Sequence, residues 1–288
     1  MTYIEKTRKS YYPGFAEKVV KDYNAVIQPL GLPDAIYDTT LEMRDRECRY
    51  SYLTKSAFER LNKTLRKENP ENYILSDDWE WNDELKKYVF KYNLLGEYIP
   101  NEKKVILYEK NIEDACTRDD VPYYCGELTT YIHEIFHAVH HKATVGIGKS
   151  YEPIREIEEA MTEFSTLVLL AELKGWDFQH KLSTKYLGDE NSWGKVFDWA
   201  LMSIKRKQNY FGDMPAYGFG YYLFNTLYYQ KTSSNDEAYR WIEKYNQKIG
   251  AIVKKKRYVK WCQQMLNPVY PYKDEKLCLE LLNSILFH

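Results

Sequence analysis

The stretch Tyr131-Ile132-His133-Glu134-Ile135-Phe136-His137-Ala138-Val139-His140 contains His-Glu-x-x-His. On an α-helix, residues four apart lie one above the other on the same face. His133 and His137 can therefore aim two imidazoles at one point, as a tetrahedral zinc ion with nitrogen ligands at about 2.0–2.1 Å requires. Glu134 lies about 100° further round the helix. It borders such a metal without facing it, which is the place for a base acting on metal-activated water. On the same wheel Leu128, Ile132, Ile135, Phe136 and Val139 gather between about 200° and 300°, so a packed face opposes the face with the histidines. Four fixed letters also occur by chance, so the motif needs a third ligand before it defines a site.

That ligand is sought on the next helix. Pro153 suits its first residue and Gly175 is placed to end it, giving a predicted span of 153–174. Ile154, Ile157, Met161, Phe164, Val168 and Ala171 form its buried stripe. With Glu159 as zero, Glu163 falls near 40° and Glu156 near 60°, whereas Glu158 falls near 260°, well off that face (about 100° per residue). Glu159 and Glu163 thus form an i,i+4 pair that can serve one site from adjacent turns. One carboxylate can bind the metal while the other supports a ligating histidine and fixes its tautomer. Glu156 is the runner-up ligand and Glu158 comes after it, the ordinary alternative for both being a charged surface ring. His140 shares the face of His133 but lies about 10 Å further along the axis. His140 and His141 read as a solvated helix end.

Together, His133-Glu134-x-x-His137 and Glu159-Ala160-Met161-Thr162-Glu163 resemble the gluzincin zinc metallopeptidases, whose thermolysin-like members carry Glu-Ala-x-Ser-Asp on the second helix. The resemblance implies Zn2+ held by His133, His137 and Glu159, Thr162 in place of the serine, and Glu163 as the acid supporting a ligating histidine. It spans roughly residues 95–175 and matches no recognised subfamily beyond them. The metzincin continuation is absent: it needs Gly at position 140 and His at 143, where His140 and Ala143 stand. Gluzincins commonly draw a Tyr or His from the C-terminal lobe to stabilise the oxyanion. Here the candidates are Tyr217, Tyr221 and His180, with Tyr217-Gly218-Phe219-Gly220-Tyr221 favoured because its glycines permit close backbone approach. Aromatic core packing is the plain alternative.

The 44% hydrophobic and 16% aromatic content supports a substantial core. The balance of 41 Lys+Arg against 42 Asp+Glu gives no electrostatic reason to expect nucleic acid or an anionic membrane as partner. Lys254-Lys255-Lys256-Arg257 is the local exception and reads most simply as a solvated face. The N-terminal residues Met1–Lys9 lack the apolar core of a signal peptide. No run of some 18 apolar residues is long enough to span a membrane, so the expectation is a cytoplasmic protein. Cys48, Cys116, Cys125, Cys262 and Cys278 are scattered, without Cys-x-x-Cys, which argues for reduced thiols.

The expected fold class is α+β. Residues 1–125 form an N-terminal lobe with a small sheet and helices, and 126–288 a mostly helical lobe, with the metal helix at the seam of a zincin-like fold. A helix is expected over Phe15–Gln28 and another from Thr54 or Ser56 to Lys67. Residues 36–52 have no clear assignment. Strands are expected at 88–92, 95–99 and 105–108, the last two forming a hairpin. The second strand of that hairpin could line a cleft and pair with an extended peptide. Residues 109–125 read as a loop, and the metal helix as starting near Gly126–Thr129 and fading by Gly146 and Gly148. Further helices are expected at 178–187, 193–207, 216–231, 235–248, 257–266 and 274–286, punctuated by Gly188, Gly212, Pro215, Pro268 and Pro271.

The expected function is peptide-bond hydrolysis by metal-activated water, with Glu134 as general base and a peptide or protein as substrate. The alternatives are a binding or scaffold protein retaining the fold, and a metal-dependent hydrolase of a non-peptide bond. The intact Glu134 favours catalysis, since a scaffold does not need it.

Overall fold

The computed structural model describes residues 15–68, 79–145, 154–180, 187, 191–210, 215–230, 236–265 and 275–288. Pro153, Gly146, Gly148, Gly188, Gly212, Pro268, Pro271 and residues 1–9 lie outside them. The described chain is mostly helical with two small sheets, an α+β arrangement. In order, the elements begin with helices α1 (Phe15–Lys21), α2 (Asn24–Ile27) and α3 (Leu32–Asp38). Then come strands β1 (Thr40–Arg44) and β2 (Cys48–Leu53), helix α4 (Lys55–Glu68), and strands β3 (Trp79–Asn82), β4 (Lys87–Asn93), β5 (Gly96–Ile99) and β6 (Lys104–Tyr108). The rest is helical: α5 (Glu109–Arg118), α6 (Tyr123–Thr144), α7 (Arg155–His180), α8 (Ser192–Tyr210), α9 (Pro215–Phe224), α10 (Asp236–Lys254), α11 (Lys256–Met265) and α12 (Glu275–Phe287). A π-turn over Asn225–Tyr229 follows α9.

The hairpin forms as its sequence predicts: β5 and β6 are antiparallel, pairing Glu97 with Ile106 and Tyr98 with Val105. The strand on the open side is β5, not β6, because β1 pairs with β6 in parallel and the sheet order is β1-β6-β5. The second sheet is antiparallel, in the order β2-β4-β3. Residues 36–52, unassigned from sequence, supply the end of α3 and both β1 and β2.

Three local expectations are corrected. The predicted loop over 109–125 is largely helix α5, whose Ile112, Ala115 and Cys116 recur at helical spacing and are buried. A left-handed Asp120 (φ 53°) then turns the chain into α6, which begins at Tyr123 behind Pro122. Gly175 does not end α7, which runs on to His180 and absorbs the start of the helix expected at 178. Leu173 and Asp177 stay buried on either side of that glycine, so continuing the helix preserves its packed face. The first predicted helix is broken, with α1 ending at Lys21 and α2 leading into a 3-10 turn that stops at Gly31 (φ 72°), a left-handed position suited to glycine.

Helix α6 is the axis of the core. It packs against α1, α3, α5, α7, α8 and α10 and against β5 and β6. The buried cluster is continuous from Phe15 to Leu286. Tyr23 closes part of it across 154 positions, donating to Asp177 Oδ1 at 2.7 Å from inside an edge-on cluster with Trp176 and Trp193. Cys116 and Cys125 are buried free thiols, and Cys278 is buried. No helix among the described residues is long and apolar enough to cross a membrane.

One buried carboxylate on α6 makes the fold pH-sensitive. Glu127 accepts a hydrogen bond from the Ala16 backbone N–H in the first turn of α1, yet burial pushes its carboxyl up to about 7 from 4.5, with Glu109 adding to the rise. Because the folded value is raised, the stabilisation from the neutral acid is complete below about pH 4.5 and is lost as pH climbs through about 7. The predicted loss is of order 3 kcal/mol. Glu127→Gln should therefore raise Tm at pH 8 and change it little at pH 4.5. Superimposable Tm-versus-pH curves for variant and wild type would refute this role.

Candidate metal centre

The apolar stripe of α6 decides where its histidines point. Leu128, Ile132, Ile135 and Phe136 are buried in the core, which leaves His133 and His137 on the side facing α7. Helix α7 answers with a buried stripe of Ile157, Ala160, Met161, Phe164 and Val168. Packing two such stripes holds the helices at a fixed distance, and the polar residues flanking the stripes meet between them.

Three donor atoms converge there. His133 Nε2 and His137 Nε2 are 3.1 Å apart, and each is 3.5 Å from Glu159 Oε2. Around a tetrahedral zinc with bonds of about 2.0–2.1 Å, neighbouring ligand atoms stand roughly 3.3–3.4 Å apart. The observed separations bracket that value. Glu159 Oε2 is buried and makes no hydrogen bond, so the atom aimed at both imidazoles is satisfied by neither. His133, His137 and Glu159 thus form a group able to hold a metal ion.

The far side of each imidazole faces a carboxylate. His137 Nδ1 hydrogen-bonds Glu158 Oε1 at 2.8 Å, and His133 Nδ1 lies 3.6 Å from Glu163 Oε1. The contact with Glu158 favours a proton on His137 Nδ1, which leaves Nε2 of that ring to the shared point. Glu163, expected to support a ligating histidine, is the acid nearest Nδ1 of His133. Glu158 is a correction, since the wheel put it off the metal-facing side. That is the reason it matters: the two nitrogens of an imidazole point in opposite directions, so the partner of Nδ1 must approach from away from the metal face.

Electrostatics strengthen the case for a cation. Glu134, Glu158 and Glu163 are buried and Glu159 nearly so, which gathers four carboxylates around two imidazoles. Unbalanced buried charge is costly. Burial pushes the Glu134 carboxyl above its ordinary value, against the opposing pull of His133 and His137. Burial also opposes the Glu159 charge, but His137 and His133 overcome it and hold that carboxyl well below the usual range. The reverse holds for His137, where burial is overridden by Glu159 and Glu158 and the imidazole is driven well above its usual value. Such a cluster favours positive charge, and His133, His137 and Glu159 could hold a metal ion at their common point.

Other sequence candidates fall elsewhere. Glu156 is exposed on α7, away from the cluster. His140 is fully buried, not solvated; its Nδ1 lies 3.3 Å from Thr162 Oγ1 and its ring meets Tyr245 edge-on at 5.0 Å. Helix α10, a hundred residues later, covers that end of α6. His141 is half-buried, with its Nδ1 3.0 Å from the Tyr98 hydroxyl. His180 is exposed and stacked on Trp176, about 30 Å along α7 from Glu159, so it cannot serve the site. Tyr217 and Tyr221 are half-buried on α9, which packs tightly on α7. A Cβ at Gly220 would lie 2.6 Å from the Ala160 carbonyl oxygen and 2.9 Å from Glu163 Cβ. The glycine between those tyrosines is thus what lets α9 approach the turn of α7 that carries Glu159 and Glu163.

Comparison with protein-family models, with curated proteins and with solved structures returns no match.

The geometry predicts one metal ion bound per chain, with Tm rising on metal addition; zinc serves as the probe. In competition with a chromogenic chelator, Glu159→Ala should weaken zinc binding most. Glu158→Ala should weaken it about 10- to 100-fold, and Glu156→Ala should leave it unchanged. Equal losses for Glu156 and Glu158 would show that the Nδ1 contact plays no part.

Proposed function

We propose that this chain is a zinc-dependent peptidase of zincin type, with Glu134 as its general base. The observation that carries the reading is the convergence of His133 Nε2, His137 Nε2 and Glu159 Oε2 at zinc-like separations, with a buried carboxylate one residue beyond the first histidine. A bound zinc would supply a Lewis acid that polarises a carbonyl and brings the pKa of water towards roughly 7. His133, His137 and Glu159 would hold that ion, with Glu158 and Glu163 fixing the imidazoles.

Glu134 does the proton work. Its carboxyl is raised by burial, which suits a group that must accept a proton and then give it up near neutral pH. It takes a proton from the water whose oxygen attacks the scissile carbonyl carbon. As the C–N bond breaks, it delivers that proton to the leaving nitrogen. Tyr217 or Tyr221 would donate a hydrogen bond to the developing oxyanion, and the close contact of α9 with α7 at Gly220 supports that choice.

A peptide substrate fits the sheet beside the site. Among the described residues strand β5 has one neighbour in its sheet, so its outer backbone groups can pair with an extended chain. It is held along the histidine helix at two points. At Gly96 a Cβ would meet the Thr130 methyl at 2.6 Å, and Tyr98 joins His141. A non-catalytic scaffold accounts for the packing but leaves the buried Glu134 without a purpose.

Glu134→Gln should keep zinc and lose turnover of a quenched fluorescent peptide library by about 10²–10⁴-fold. Unchanged turnover would remove Glu134 from the chemistry. A wild-type chain that binds zinc but cleaves no library member would favour the scaffold.

A further inference from the structure

Between Lys244 and Lys260 the chain carries six lysines and Arg257 and no Asp or Glu. The whole chain has a net charge of −1, so the remaining residues sum to −8. The segment is firmly anchored: Tyr245, Ile249, Ile252 and Val253 are buried on the inner face of α10. Its outward side, at the junction of α10 and α11, presents Lys254, Lys255, Lys256, Arg257 and Lys260, all exposed. None of the five forms an ion pair with a carboxylate among the described residues. Lys255 Nζ and Arg257 Cζ lie instead over the Tyr258 ring, at 5.3 and 4.5 Å from its centre, and Arg257 hydrogen-bonds the Tyr258 hydroxyl at 2.6 Å.

Fold stability does not account for this arrangement. Lys254 sits favourably at the C-terminal end of α10, where the helix dipole attracts a cation. Lys256 and Arg257 occupy the first turn of α11, at its positive end, and no acidic residue offsets them there. Five like charges within seven positions repel one another at short range. Tyr258 holds the guanidinium and one ammonium in place by cation–π contact, which reduces the entropy lost when they grip an anion.

The extent of the patch selects the partner. Lys254 to Lys260 covers about 10 Å of helix axis, which matches three or four residues of an extended chain. A nucleic-acid duplex or a lipid plane calls for a longer basic face than these seven positions, and the residues outside Lys244–Lys260 carry a net −8 to extend it with. A short carboxylate-bearing segment needs no such extension. We infer that Lys254–Lys260 is a docking site for a short acidic segment of a partner protein, with Arg257 positioned to take a carboxylate through two nitrogens. The site does not depend on the peptidase reading.

The test uses the full chain and a fluorescein-labelled twelve-residue peptide alternating Glu with Gly or Ser, read by anisotropy. Saturable binding at 50 mM salt is expected, weakening at least tenfold at 0.5 M as screening shortens the reach of the charges (an order-of-magnitude expectation). The triple variant K255E/K256E/R257E should weaken it at least tenfold as well, while K86E/K87E at the start of β4 leaves it unchanged. The substituted side chains are exposed, and circular dichroism verifies the fold. The inference is overturned if the peptide does not bind or if both variants weaken it equally. It is also overturned if a twelve-nucleotide single strand or phosphatidylserine vesicles bind this patch more tightly than the peptide.

Discussion

Two imidazoles held between four carboxylates in the space between two helices is the constraint around which this molecule is arranged. Each carboxylate taken from water needs a compensating charge or donor. Glu158 and Glu163 find theirs on the outer nitrogens of His137 and His133. Glu159 Oε2 faces the point the two inner nitrogens share. The surrounding fold keeps α6 and α7 from relaxing away from that arrangement. Their apolar stripes commit them to a spacing, and α9 is drawn against α7 at Gly220, where a single added carbon would collide with the Ala160 carbonyl.

The group of His133, His137 and Glu159 was legible because helical periodicity is a local property. Four-residue spacing on α6, repeated as Glu159 and Glu163 on α7, requires only that both stretches be helical. Their buried stripes guarantee it. Strands β5 and β6 were legible for the same reason, as two short β-rich runs around a polar turn. Residues whose roles come from elsewhere in the chain were not. His140 looks like a wet helix end until α10 brings Tyr245 across it. His180 is chemically suitable for oxyanion stabilisation but is carried away by a helix longer than its glycine suggested. Glu158 was missed differently: its angle on the wheel was right, but a search restricted to the metal-facing side has no place for the partner of the opposite nitrogen.

Charge shows a similar divide between local and global reading. A net charge of −1 describes a neutral molecule only on average. The cationic junction of α10 and α11 and the anionic cluster around the histidines lie on different elements. Burial further separates their behaviour: the carboxylates between α6 and α7 are shielded from salt, whereas the lysines of the junction stand in water within its screening.

The distances along the chain between contacting residues carry a last consequence. His137 and Glu159 are 22 positions apart, whereas Tyr23 must find Asp177 across 154. With closure entropy growing as the logarithm of loop length, the second contact costs about 1.7 kcal/mol more to form from an open chain. The helical pair that gathers His133, His137 and Glu159 is therefore among the cheaper units of this fold to close.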